Sequence, residues 1–98
     1  MDTKEMLAIV EENRQRGVSY SWCATPGHLR VVPETADYEL SSYFQDVDNL
    51  EAAKEAIAKF DLETSQLAAA YVFDEKGRVV YSVKRIHAGG VTTQEFHY

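Results

Sequence analysis

Cysteine is nearly absent from this 98-residue chain, in which Cys23 is the only thiol. A single thiol excludes an intramolecular disulfide, and a small domain without disulfides is more typical of the cytosol than of secreted proteins. The N-terminal residues lack the basic and apolar regions of a signal peptide, and no apolar run approaches the ~20 residues of a membrane-spanning helix. The composition therefore predicts one cytoplasmic domain over residues 1–98, with no membrane contact.

The chain also lacks the residue spacings that mark catalytic and metal sites. Cys23 and His28 flank a Pro-Gly turn and could form a thiolate–imidazole pair, but no helix N-terminus is predicted beside Cys23 to activate it. No close pair of cysteines or histidines has the spacing of zinc ligands. Gly89-Gly90 lacks the repeated spacing of a phosphate loop. We expect no cofactor and no metal, and we favour a non-catalytic role over an enzymatic one.

Positive charge is scarce between residues 34 and 63, where nine acidic residues stand against only Lys54 and Lys59. This segment carries a net charge of −7, whereas the whole chain carries −6. Such asymmetry steers cationic partners towards the acidic segment. The usual interpretation of so many acidic residues is, however, a solvated helix surface with capping residues. We predict a protein partner of cationic character at an acidic surface formed by Glu34, Asp37, Glu39, Asp46 and Glu55.

Nucleic acid is disfavoured as a partner. The basic residues Lys76, Arg78, Lys84 and Arg85 surround Tyr81 in the sequence, but Lys84 and Arg85 point to opposite faces of a strand. Neutralising phosphates requires clustered cations, and the chain as a whole is negatively charged.

The first helix is predicted over residues 3–16. Asp2 and Glu5 have capping-box spacing, and Gly17 can end the helix in the left-handed conformation. Three apolar side chains share one face of this helix: Met6, Leu7 and Val10.

The second helix is predicted to begin after Asp48 as its cap, with Glu51 three residues later. Its apolar residues recur at helical spacing: Leu50, Ala53, Ile57 and Phe60. We expect Ile57 and Phe60 to be buried.

Alternating and apolar segments predict the strands. Residues 18–24 place Val18, Tyr20, Trp22 and Ala24 on one side, as in a strand with one solvated face. A type II turn over residues 25–28 and a short strand over residues 29–32, broken by Pro33, follow. Residues 38–44 form a third strand candidate, and residues 67–73 are apolar enough for a central strand covered on both faces.

Two glycine turns predict the register of the last strands. A three-residue loop ending at Gly77 places Phe73 opposite Val79, whereas a four-residue loop would place Phe73 opposite Arg78. We prefer the first, because it aligns the aromatic residues, with Tyr71 opposite Tyr81 and Ala69 opposite Val83. A two-residue turn at Gly89-Gly90 adds three further pairs: Glu95 with Lys84, Phe96 with Val83, and Tyr98 with Tyr81.

These elements predict an α+β fold, with two helices packed on an antiparallel sheet of five or six strands in the order α-β-β-β-α-β-β-β. Two helices can cover one sheet face, so we expect the other face to form a two-fold homodimer.

The leading functional hypothesis is a small acidic cytosolic protein that binds another macromolecule as an inhibitor, adaptor or regulator. The alternative is a small-ligand domain or small enzyme whose pocket is lined by Tyr20, Trp22, Cys23 and His28. A deep cavity with convergent polar groups would favour this alternative, and a flat aromatic or acidic patch would favour the first hypothesis.

Overall fold

A computed structural model describes residues 2–35, 44–64, 67–86 and 92–98 of the chain. Along these residues the elements follow the order α-β-β-α-β-β-β. The helices are α1 (Thr3–Gln15) and α2 (Leu50–Thr64). The strands are β1 (Leu29–Thr35), β2 (Gln45–Val47), β3 (Leu67–Phe73), β4 (Val79–Ile86) and β5 (Thr92–His97).

The strands form one antiparallel sheet in the order β2-β1-β3-β4-β5. The central strand β3 is buried along its length except at Ala68, which is half-buried. This confirms the predicted strand that is covered on both faces. The predicted α+β fold, with two helices packed with an antiparallel sheet, is also confirmed.

One face of the sheet, here called the helical face, is covered by α2. Ala53 and Ile57 of α2 are buried there, and Phe60 is half-buried. They pack against a cluster on the strands that consists of Val31, Val47, Leu67, Ala70, Val72, Tyr81 and Val83. The apolar stripe predicted for this helix therefore faces the core, as expected from its spacing.

The N-terminus of α2 differs by one residue from the prediction. The side chain of Asn49, not that of Asp48, accepts a hydrogen bond, from the amide of Ala52 at 2.9 Å. Asn is as good a helix cap as Asp, so the helix can begin one residue later without loss of its cap. Asp48 instead lies 3.4 Å from the imidazole of His28.

The opposite face of the sheet, here called the N-terminal face, is covered by residues 18–24. Val18 is buried there, and Tyr20 and Trp22 pack on a cluster formed by Val32, Ala69, Tyr71, Phe73 and Val79. The prediction of a strand over residues 18–24 is wrong, because no sheet ladder includes this segment. The segment instead lies on the sheet, with Val18 and Ala24 buried and Tyr20, Ser21 and Trp22 half-buried.

The prediction that Pro33 ends the first strand after the turn is also wrong. The turn itself is confirmed, since the His28 amide donates to the Thr25 carbonyl at 2.9 Å and Gly27 has φ +81°. However, β1 continues through Pro33, which pairs with Ala70. Among the described residues the pairing of β1 with β2 ends at Val31, so Pro33 lies beyond that ladder.

The β3–β4 hairpin has the predicted loop but only part of the predicted register. Phe73 lies opposite Val79, and Gly77 adopts φ +87° as expected. A bulge then shifts the pairing, so that Tyr81 lies opposite Val72. The predicted pairs of Tyr71 with Tyr81 and of Ala69 with Val83 are therefore wrong. A single extra residue moves the following side chains to the other face, which places Tyr81 on the helical face.

The register predicted between the last two strands is wrong by one residue. Lys84 lies opposite Gln94, not Glu95, and Tyr81 lies opposite His97, not Tyr98. Val83 lies opposite Glu95. The turn at Gly89-Gly90 lies outside the described residues, as does the predicted strand over residues 38–44 except for Phe44, which precedes β2.

Candidate functional site

The outer side of α1 carries the largest cluster of exposed apolar side chains on one described element. Met6, Leu7 and Val10, here called the α1 ridge, are 48, 61 and 40 % exposed. They share one face, as predicted, but this face points to solvent. The buried side of α1 carries Ile9 and Asn13 instead. Large apolar side chains that cluster on a surface commonly mark a protein interaction site.

Polar contacts hold α1 in this orientation. Asn13, which is fully buried, donates to the Gly77 carbonyl at 2.8 Å and accepts from the Val79 amide at 2.9 Å. Glu12 binds Arg78 at 2.7 Å, and the hydrogen bond from Arg78 holds the pKa of the Glu12 carboxyl below its usual value. The polar residues Glu12 and Asn13 therefore attach α1 to the β3–β4 hairpin. The described residues leave the ridge uncovered.

The ends of α1 differ in charge. Asp2 caps the helix by accepting from the Glu5 amide at 2.7 Å, which places two carboxylates at the N-terminus. Arg14 and Arg16 lie at the C-terminal end, where cations interact favourably with the helix dipole. Arg14 also pairs with Glu11 at 3.0 Å on the exposed surface. Lys4 lies between the two carboxylates, and Glu11 and Glu12 balance the two arginines, so the N-terminal end is weakly acidic and the C-terminal end is close to neutral.

A cavity of about 210 Å³ lies between α2 and strands β4 and β5, on the helical face. Its apolar wall includes Ile57, Val83 and the ring of Tyr81. The polar groups that line it are Lys54, Asp61, Arg85, Thr93 and Glu95. We call this space the α2–β4 cavity.

The charged groups of the α2–β4 cavity are partly engaged with one another. Arg85 forms an ion pair with Asp61. Glu95 lies 3.5 Å from His97 and beside Tyr81, whose pKa is raised to about 12, first by burial and then by the Glu95 charge. Tyr81 therefore stays protonated at neutral pH and can donate a hydrogen bond.

Two nitrogen donors of the cavity residues have no acceptor among the described residues. The ammonium of Lys54 lies over the Tyr81 ring at 5.3 Å from its centroid, and among the described residues it forms no ion pair. The Nε atom of Arg85 is buried and has no hydrogen-bond acceptor in the described part of the chain. A buried donor without an acceptor is costly, so this atom is suited to a bound acceptor.

The described members of the predicted acidic surface lie apart. Glu55 is exposed on α2, which covers the helical face. Glu34 lies in β1 beside Tyr71, on the N-terminal face; burial and then the Glu34 charge raise the pKa of Tyr71 to about 12. Asp37 and Glu39 lie outside the described residues.

Asp46, the fifth predicted acid, is bound within the protein. Its carboxylate accepts from Arg30 Nε at 2.7 Å and from the Thr25 amide at 3.1 Å. The hydrogen bonds from Arg30 and Thr25 hold the pKa of Asp46 well below its ordinary value near 3.8. The side chain is only 19 % exposed, so its charge stabilises the β1–β2 pair rather than facing a partner.

The four residues of the predicted alternative pocket have different surroundings among the described residues. Tyr20 packs edge-on against Tyr71 at 5.5 Å, and Trp22 packs against Phe44 at 5.5 Å. Cys23 is exposed. His28 lines a shallow depression between the Pro-Gly turn and the β3–β4 loop. Tyr20 and Trp22 therefore act as the cover of the N-terminal face.

Among the described residues, no group of three histidine, cysteine or acidic side chains is arranged to hold a metal ion. Within the same residues, no helix is long and apolar enough to cross a membrane. Comparisons with known protein families, with curated proteins and with solved structures found no match to this chain.

Sequence reasoning missed the α2–β4 cavity. Its lining joins α2 to β4 and β5, and the bulge in β4 decides that Tyr81, Val83 and Arg85 face α2. The available signal was the opposite charge of Asp61 and Arg85, which lie near the C-terminal ends of α2 and β4.

Proposed function

We propose that this protein acts in the cytoplasm by binding another protein molecule, without catalysis of its own, and that the α1 ridge is its contact surface. The observation that carries the proposal is the exposure of Met6, Leu7 and Val10 on adjacent turns of one helix. Helices that dock into a groove present apolar anchors at this kind of spacing. An inhibitor, an adaptor and a regulator would each use such a helix.

Charge supports a cationic character for such a partner. Three acidic side chains on α2 are exposed: Glu51, Glu55 and Glu63. They are better candidates for steering a partner than Asp46, which is engaged with Arg30. Steering acts mainly on the association rate and is screened beyond ~8 Å at physiological salt.

A second copy of the chain is also a suitable occupant of the ridge. Thr3, Leu7, Val10 and Arg14 follow the alternating spacing of four and three residues that forms a helix–helix seam. In an antiparallel pair, Leu7 of one copy lies against Val10 of the other. We therefore propose a two-fold homodimer through α1, rather than through a sheet face.

Affinity capture from cells that contain the protein tests the proposal. The bait is the chain itself, compared with a variant that carries Met6→Ser, Leu7→Ser and Val10→Ser. The matched control is Leu62→Ser, because Leu62 is 85 % exposed but lies on α2. A protein that is captured by the wild type and the control but not by the ridge variant supports the proposal. Equal capture by all three baits would show that the ridge is not the contact surface.

A further inference from the structure

The α2–β4 cavity has the size of a site for a small molecule. Its volume of about 210 Å³ equals that of about seven liquid waters at roughly 30 Å³ each. Drug-sized ligands occupy pockets of about 300–1,000 Å³, so the cavity suits a smaller molecule. Its apolar wall, which includes Ile57 and Val83, favours a ligand with a compact apolar body.

The polar groups of the cavity select the charge of that ligand. The carboxylates are engaged, Asp61 with Arg85 and Glu95 beside Tyr81 and His97. The ammonium of Lys54 and the buried Nε of Arg85 have no carboxylate or other acceptor among the described residues. An incoming anion would therefore find one ammonium without an ion pair and one buried donor without an acceptor among the described residues.

We infer that the α2–β4 cavity binds a small organic carboxylate, with the carboxylate between Lys54 and Arg85 and its apolar body against Ile57, Tyr81 and Val83. This site is separate from the α1 ridge and does not depend on it. Hydrogen bonds to charged groups are the stronger kind in proteins, and the half-buried setting limits screening by water.

Phenylacetate is a suitable probe, because it combines a carboxylate with an apolar ring of the required size. Phenylacetamide has the same shape without the charge, and phenethylamine carries the opposite charge. Titration of the full chain with each probe, followed by amide resonances in two-dimensional NMR, reports both affinity and location. Phenylacetate should shift resonances of Ile57, Tyr81 and Val83, and it should bind more tightly than either analogue.

Three variants locate the interaction. Lys54→Met removes the ammonium and keeps the length of the side chain, so it should weaken phenylacetate binding about tenfold. Lys59→Met, on the exposed side of the same helix, makes the same change of charge and should bind like the wild type. Ala58→Phe should fill the mouth of the cavity from its exposed rim and abolish the shifts.

Each remaining outcome would overturn the inference. Absence of shifts with phenylacetate would show that the cavity takes no carboxylate of this size. Equal binding of phenylacetamide or phenethylamine would remove the role of charge. Unchanged affinity in Lys54→Met, or undiminished shifts in Ala58→Phe, would place the probe elsewhere on the protein.

Discussion

The side-chain amide of Asn13 donates to the carbonyl of Gly77 across 64 positions of the sequence, at 2.8 Å. This contact joins the last turn of α1 to the end of the β3–β4 loop. Because the same side chain also accepts from the Val79 amide, one buried residue satisfies two backbone groups. The orientation of α1, and therefore the exposure of its ridge, depends on this polar anchor.

Replacing Asn13 by Ala should destabilise the protein by about 1–3 kcal/mol, because the buried Val79 amide loses its acceptor. The Gly77 carbonyl, in contrast, keeps the hydrogen bond from the Ser21 hydroxyl. Urea unfolding of the variant measures the loss. Gln15→Ala, on the exposed side of α1, is the control and should change stability by less than about 0.5 kcal/mol. Similar stability of the two variants would mean that α1 is not anchored through Asn13.

Gly77 and Gly27 offer a matched test of loop packing. Both have positive φ, +87° and +81°, so alanine is strained at either position. A β-carbon at Gly77 would collide with Ser21 Oγ, whereas one at Gly27 would meet no atom within 4 Å. Gly27→Ala should therefore cost about 1 kcal/mol, and Gly77→Ala clearly more, when both are measured by thermal or urea unfolding.

A double variant isolates the cause of that difference. Ser21→Gly should recover part of the stability lost in Gly77→Ala, since it removes the side chain that the new methyl group meets. If the two glycine variants lose the same stability, the segment at Ser21 yields easily and does not pack tightly on the loop.

The sequence predicted the elements whose signals are local. Several features depend only on neighbouring residues: the helix cap at Asp2, the helix end at Gly17, the turns at Gly27 and Gly77, and the apolar stripe of α2. These agree with the structure because capping, left-handed turns and helical spacing are decided within a few residues.

The features that the sequence did not predict depend on contacts between distant segments. The bulge in β4 changes the face of Tyr81 without any glycine or proline to mark it. The sequence of residues 18–24 alternates like a strand, yet the segment packs on the N-terminal face instead of joining the sheet. Neither the α1 ridge nor the α2–β4 cavity could be located until these placements were known.

Ile57 and Leu62 are apolar residues of the same helix with opposite exposure, at 6 and 85 %. Ile57→Ala should cost about 2–4 kcal/mol, from lost burial and from the cavity that remains. Leu62→Ala should cost less than about 0.5 kcal/mol. Chemical denaturation of both variants provides the measurement, and a small loss for Ile57→Ala would mean that α2 does not pack on the sheet as described.

The apolar stripe of α2 also predicts the stability lost in Phe60→Ala. Because Phe60 is only half-buried, its loss should fall below the 3–5 kcal/mol typical of a fully buried Phe.

The ion pair of Asp46 with Arg30 should make part of the stability depend on pH. The pKa of Asp46 is lowered on folding, so its contribution is complete above the pKa of the unfolded chain, near 3.9, and is lost as the pH falls towards the folded value. Asp46→Asn should cost about 1–3 kcal/mol at neutral pH. The difference from the wild type should shrink below about pH 4.

Urea unfolding at a series of pH values measures that difference. Glu55→Gln is the control, since Glu55 is exposed on α2 and forms no ion pair among the described residues. The free energies of unfolding of Asp46→Asn and the wild type could instead differ by the same amount at every pH down to the acid range. That result would show that the Arg30 pair does not stabilise the fold through charge.

Self-association through α1 should be weak and should depend on concentration. A helix of 13 residues is about 20 Å long, so an α1 pair buries less than the ~800 Å² per partner of a standard stable interface. Light scattering over a micromolar to millimolar series should therefore show a rising mean mass. Leu7→Glu should abolish the rise, because it places a carboxylate in the apolar seam of each copy.

Leu62→Glu adds the same charge at an exposed apolar residue of α2, so it should leave the self-association unchanged. A monomer mass for the wild type at every concentration would show that α1 does not bind a second copy, and the ridge would then be available only to a different protein. Loss of association in both Glu variants would point instead to a general effect of net charge, because a chain that already carries −6 repels its own copies.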